Sequence, residues 1–226
     1  LRLLSALKTL FLHPMPGGLK GRAELLYWLF QEKRQGGLGN QHYAYFFTIH
    51  FGLSRQDYVN KRVLDIGCGP RGSLEWANEA RERVGLDPLA EAYRLLGVDK
   101  HQMQYVATGA EQIPFPDQYF DIISSFNSLD HVADLPAAIA EIKRVLAPNG
   151  FFLLITDVGH KPTITEPWAF GFEIENAFRP DFTPIRVQKF EKSQTAAIYA
   201  SIRNAIPYDE NNLSPRYGVL SVLFRK

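Results

Sequence analysis

Three groups of residues in this chain have types and spacings suited to chemistry. The first is Gly67-Cys68-Gly69-Pro70-Arg71-Gly72, a G-x-G-x-x-G run with Asp65 just before it and Asp87 about twenty residues beyond. Glycines let a backbone approach a bound molecule closely. An acid at that distance suits ribose hydroxyls. The second group is Asp130-His131. A histidine titrates near ~6.5 and suits proton removal at neutral pH. The neighbouring carboxylate would orient it or bind an amine, and Asp157 and His160 are alternatives for the base. The third is an aromatic stretch from His42 to Phe51, whose polar-tipped members His42, Tyr43, Tyr45 and His50 are candidates to line an acceptor pocket. Phe46 and Phe47 read instead as core.

The glycine run fits two cofactors. A nicotinamide dinucleotide needs backbone N–H donors for its pyrophosphate. Pro70 has none to give, and Asp65 would repel the phosphates. S-adenosylmethionine carries an ammonium and a sulfonium, which tolerate a nearby carboxylate. The loop therefore leans toward the methyl donor. A nicotinamide-dependent dehydrogenase and a cofactor-binding module without catalysis remain the alternatives.

Four further segments, in order, make the case specific. Val63-Leu64-Asp65-Ile66-Gly67-Cys68-Gly69 resembles the first motif of class I S-adenosylmethionine-dependent methyltransferases, and Val84-Gly85-Leu86-Asp87-Pro88 resembles their second. Gly109-Ala110-Glu111-Gln112-Ile113-Pro114-Phe115 is similar to the adenine-side segment, and Arg144 to Gly150 to the turn before the fifth strand. Pro70-Arg71-Gly72 departs from the pattern, because many members place a glycine sooner.

The resemblance implies roles. Gly67 and Gly69 would line the methionine part, with Asp65 nearby. Asp87 would hold the ribose, and Pro88 and Leu89 would flank the adenine. Ala110 and Glu111 would reach the adenine edge, and Asn127 would sit near the methionine end. The carboxyl end of the fourth strand would face the methyl group, which makes His131 the first candidate base and Asp130 its partner. An insertion at about 158–183, with His160, Glu166 and Trp168, would form a substrate lid. Asp157, His160 and Glu166 have no metal-ligand spacing, so no metal is expected.

These residues need elements to position them. Short apolar runs at 62–66, 83–86, 104–107, 120–126 and 151–156 read as strands, with helices at 73–81, 89–96 and 135–146. Ile185–Phe190 and Gly218–Phe224 read as two more strands around a helix at 193–205. The expected fold is α/β: a Rossmann-like, doubly wound, mostly parallel seven-stranded sheet with helices on both faces. Residues 1–60 form an N-terminal helical extension or lid, and 61–226 the cofactor-binding domain.

Composition sets the class. The 226 residues are 46% hydrophobic and 22% charged, with net charge +1. That is an ordinary globular composition. Near-neutral charge argues against nucleic acid as the main partner. The single cysteine, Cys68, excludes an internal disulfide framework and reads as a buried filler. The apolar opening stretch, 1–12, reads as a packed helix rather than a membrane-surface one, and no run is long enough for a span. A cytoplasmic enzyme acting on a small-molecule acceptor, as monomer or homodimer, is the expectation.

Overall fold

The computed structural model describes residues 14–192 and 197–226. The apolar stretch 1–12 and the first residues of the expected helix 193–205 lie outside the described residues. The sheet has seven strands in the order β3-β2-β1-β4-β5-β7-β6. They are β1 (Arg62–Ile66), β2 (Glu82–Leu86), β3 (Gln104–Val106), β4 (Phe120–Phe126), β5 (Leu146–Val158), β6 (Thr183–Glu191) and β7 (Gly218–Arg225). β2 runs parallel to β1 and β3, and β5 runs parallel to β4. β7 is antiparallel to both β5 and β6. The Rossmann-like α/β expectation holds. Among the described residues no helix is long and apolar enough to cross a membrane.

The chain divides into two compact units, 1–109 and 110–226. In the first, helix α1 (Leu19–Gln35) stops at Gly36, whose φ of 67° lets its N–H bond back to Glu32 O. Its Leu25 packs with Leu89, Tyr93 and Val98, and Trp28 and Leu29 lie against that cluster. The aromatic stretch yields one short helix, α2 (Tyr43–Phe47), followed by a single tight turn at Ile49–Phe51. Phe46 and Phe47 are fully buried, as expected of core residues. Tyr58 donates to Phe47 O and sets its ring edge-on to Trp76.

Two expected helices take another form. Residues 73–81 make successive turns, with Glu75 N–H on Gly72 O and Ala77 N–H on Leu74 O. Arginines compete for the carbonyls an α-helix would use: Arg83 reaches Glu75 O and Arg55 reaches Trp76 O. Residues 89–96 tighten into a 3-10 turn at Ala92–Leu96, ended by Gly97.

In the second unit, helix α3 (Leu135–Val145) opens on Asp134, which accepts from Ala137 N–H at 3.0 Å. Leu135, Ala138, Ile139, Ile142 and Val145 are its buried stripe, the spacing read from the sequence. Each leucine, isoleucine or valine among them contributes roughly 1.5–3 kcal/mol on burial, and the alanine less. Phe152 of β5 and Phe224 of β7 pack with Phe178 and Phe182. Helix α4 (Ile198–Asn204) precedes β7. The turn into β5 uses Asn149 at φ 62° and then Gly150. A Cβ on Gly150 would stand 2.8 Å from the carbonyls of Ala147 and Asp121, so only glycine fits.

Candidate active site

The first unit builds the glycine loop. β1 ends at Ile66, and Gly67 N–H donates to Leu86 O at 2.7 Å, tying the loop to β2. Gly67, Gly69 and Gly72 all take positive φ (67°, 56° and 73°). Asp65 is buried and accepts from Ser73 Oγ at 2.5 Å. Asp87, also buried, receives Gly69 N–H on one oxygen at 3.1 Å and Leu89 N–H on the other at 2.9 Å. Burial, then the nearby Glu24 carboxylate, pushes its pKa up to about 7, and those backbone bonds oppose the shift. Each oxygen keeps a second lone pair for a hydroxyl donor. No helix follows the loop, so the helix N-terminus that a pyrophosphate would use is missing from the described residues at this point.

Helix α1 covers this loop. A Cβ on Gly69 would lie 3.2 Å from Trp28. Arg71 stacks on Trp28 at 5.4 Å and donates to Gln35 Oε1 and Gly39 O, each at 3.0 Å. The residue that departs from the family pattern is therefore the one that fastens the extension. Sequence reading missed Trp28, Glu24 and Arg71, and only the unusual Pro70-Arg71-Gly72 spelling hinted at them. Pro88 is exposed, whereas Leu89 is buried in the cluster with Leu25.

The aromatic candidates sit in the same unit. Tyr43 and His50 are buried, and His42 and Tyr45 are half-buried. His42 lies against Tyr43 at 4.2 Å, and His50 against Phe51 at 4.8 Å. These contacts make Tyr43 and His50 members of a packed aromatic cluster, leaving His42 and Tyr45 the better placed to meet an acceptor.

The second unit carries the remaining candidates. Ala110 is buried. Glu111 Oε1 accepts Ala133 N–H at 2.6 Å and Asp134 N–H at 3.2 Å, so that oxygen anchors a loop instead of facing an adenine. Asn127, just past β4, is held at φ 52° by its N–H on Ile155 O, and its Oδ1 is buried with no donor. A buried acceptor lacking a donor fits an ammonium group. Beyond it, a tight turn at Leu129–His131 carries the Asp130-His131 pair.

Asp130 is the centre of this region. Its side chain is 2% exposed, with His131 Nε2 3.9 Å from Oδ1 and His160 Nε2 3.6 Å from Oδ2. Glu166 Oε1 lies 3.8 Å from His131 Nε2. Burial raises the Asp130 pKa, and His131 pulls it back. Trp168 brings the insertion here: its backbone N–H donates to Asp130 O at 3.3 Å and its ring N–H to Val132 O at 2.9 Å. Asp157 is pushed up by burial and paired with Lys192, which takes it out of contention as base. Arg144, read only as part of a motif, holds the 113–117 segment through Ile113 O, Phe115 O, Asp117 and Glu141.

A family model described as "Methyltransferase domain" matches residues 64–154, from β1 through the glycine loop into β5. Residues 64–154 are a methyltransferase domain of the class I S-adenosylmethionine-dependent kind. S-adenosylmethionine is the cofactor of that family and of this domain. Among curated relatives, the "Uncharacterized methyltransferase YcgJ" of Bacillus subtilis is 35% identical over 102 residues, covering 42% of this chain and 40% of that protein. The malonyl-[acyl-carrier protein] O-methyltransferase of Serratia marcescens is 33% identical over 135 residues, 57% and 52% of the two chains. The matches thus span about half or less of these relatives' length. The crystal structure of YcgJ aligns at TM-score 0.56 and 20% identity, covering 79% of this methyltransferase and 98% of that chain. The [4+2]-cyclase SpnF aligns at TM-score 0.62 and 18% identity, covering 94% and 96%.

Proposed function

We propose that this methyltransferase acts on an oxygen or nitrogen of a small-molecule acceptor, with Asp130 and His131 handling the acceptor's proton. The observation that carries the reading is the buried Asp130 carboxylate flanked by two imidazoles at the end of β4. When bound, S-adenosylmethionine supplies a methyl group on a positively charged sulfur. Asp65, Gly67, Gly69 and Asn127 hold its methionine end in this reading. Asp87, Pro88, Leu89 and Ala110 hold its nucleoside. His131 Nε2 takes the acceptor proton as the nucleophile advances, and Asp130 stabilises the resulting imidazolium. General-base help of this kind contributes about 10²–10⁴ in rate.

The lids belong to the same proposal. Residues 1–60 form an extension over the cofactor loop, supported by Trp28 against Gly69 and by Arg71. The insertion at about 158–183 closes the acceptor side, supported by the two Trp168 hydrogen bonds. His160 and Trp168 in the second unit, and His42 and Tyr45 in the first, are the side chains assigned to the acceptor in this reading, and Tyr43 and His50 are the buried neighbours of the latter pair. The near-neutral charge favours a small acceptor over nucleic acid, in the cytoplasm. One structural neighbour is a [4+2]-cyclase, so the fold alone does not decide chemistry. The test is transfer of labelled methyl groups to a panel of hydroxyl and amine acceptors. Label transfer that falls at least tenfold in His131→Ala supports the reading. Cofactor binding with no transfer to any acceptor overturns it in favour of a non-catalytic module.

A further inference from the structure

The side chains around Asp130 leave a balance unsettled. Asp130 Oδ1 and His160 Nε2 are both buried without a hydrogen-bond partner. The separations of 3.6–3.9 Å among Asp130, His131, His160 and Glu166 exceed hydrogen-bond length. A buried carboxylate in that condition is costly unless a positive charge meets it. His160 Nδ1 lies 3.1 Å from Lys161 O. With its proton there, Nε2 presents a lone pair toward Asp130 Oδ2, and two lone pairs facing each other repel.

Asp130, His131 and Glu166 each offer a ligand atom, and these atoms lie within 4.8 Å of one another. Donors around one tetrahedral ion, with bonds of about 2.1 Å, stand roughly 3.4 Å apart. His131 Nε2 stands 3.9 Å from Asp130 Oδ1 and 3.8 Å from Glu166 Oε1, so those donors close by about half an ångström, and the third pair, within 4.8 Å, by up to about 1.4 Å. Three protein donors leave a coordination position open, as in catalytic zinc sites. An imidazole whose far nitrogen is fixed on a backbone carbonyl is the usual partner of such a site.

We infer that Asp130, His131 and Glu166 bind a divalent transition cation of the zinc type. Imidazole donors select against magnesium and calcium, which prefer all-oxygen sets. The sequence concealed the site because its donors come from a turn after β4 and from an insertion after β5. Trp168 brings the two together through Asp130 O and Val132 O. The inference rests on the proposed acceptor site and changes the part His131 plays there: with the cation bound, His131 is a ligand and not the base, and an acceptor oxygen in the open position would lose its proton to solvent more readily.

The experiment uses the full chain, stripped with chelator, and titrates zinc chloride, cobalt chloride and magnesium chloride separately by calorimetry. Expected are one equivalent of zinc bound at micromolar or tighter affinity, a visible cobalt absorption band, and no magnesium binding. His131→Ala and Glu166→Gln each weaken zinc at least tenfold, whereas His101→Ala, in the other unit, does not. Glu166 is partly exposed, so its amide variant keeps the fold, which a thermal melt without metal verifies. Absence of bound zinc, or binding unchanged in both variants, overturns the site. S-adenosylhomocysteine titrated into the same samples reads the cofactor loop separately, so loss of the metal site is distinguishable from failure of the methyltransferase reading.

Discussion

Asp87 and Asp130 are both buried aspartates past the end of a strand, and they are in opposite conditions. Both oxygens of Asp87 already receive backbone N–H groups, from Gly69 and Leu89. Asp130 has one orphaned oxygen and two imidazoles just beyond hydrogen-bond reach. A carboxylate satisfied by its own loop is pre-organised to receive a ligand in one place. A carboxylate left unsatisfied marks where a proton, a cation or a substrate must supply charge. In the proposed function the first arrangement is the binding device, and the second is the reactive one.

The largest expected effect falls on the reactive side. Asp130→Asn should lower the methyl transfer rate about 10²–10⁴-fold while leaving the dissociation constant of S-adenosylhomocysteine within threefold. Single-turnover label transfer and calorimetry measure the two. Asp87→Ala should do the reverse: it weakens cofactor binding about 10–100-fold, the value of a hydrogen bond to a charged group. If both variants lost cofactor binding equally, the division of labour would be wrong.

Next comes the support of each side. Arg144→Ala removes the fork that holds Ile113 O and Phe115 O, and should cost about 2 kcal/mol of stability in a denaturant melt. Gly69→Ala forces a Cβ toward Trp28 at positive φ, which costs roughly 1–2 kcal/mol from backbone strain alone. A Gly69→Ala protein as stable as the parent would show that the loop does not hold Gly69 in the left-handed conformation.

The binding side also carries a pH dependence. Asp87 stays protonated in the folded chain up to about 7, whereas a free aspartate ionises near 3.8. Across that window the unfolded chain binds fewer protons, so stability falls as pH rises from about 4 to 7 and levels off above. Asp87→Asn carries no such slope. Its melting temperature relative to the parent should climb between pH 4.5 and 7.5, and a flat difference would remove the burial argument.

The glycine loop with its acids and the Asp130-His131 pair were both readable in the sequence, whereas the company that pair keeps was not. Asp65, Gly67, Gly69 and Asp87 lie in short contiguous motifs on adjacent strands, where local spacing fixes geometry. The α3 stripe from Leu135 to Val145 was legible for the same reason, since helical period and burial coincide. The helix expected at 73–81 was not, since Arg55 and Arg83 reach its carbonyls from outside the segment, a tertiary effect no local pattern carries, and the one expected at 89–96 is a 3-10 turn cut short at Gly97. Glu111 was assigned to a ligand edge, yet it anchors the backbone at 133 and 134. The grouping of Asp130 and His131 with His160 and Glu166 depends on the path of an irregular insertion, and Trp28 over Gly69 on how an aperiodic extension folds back.

The account turns on whether the two aspartates separate binding from chemistry in one methyltransferase. Calorimetric titration of S-adenosylhomocysteine into the parent, Asp87→Ala and Asp130→Asn proteins tests it most directly. The predicted result is tight binding to the parent and to Asp130→Asn, with a 10–100-fold loss in Asp87→Ala. No binding to the parent, or equal binding in all three, would contradict it.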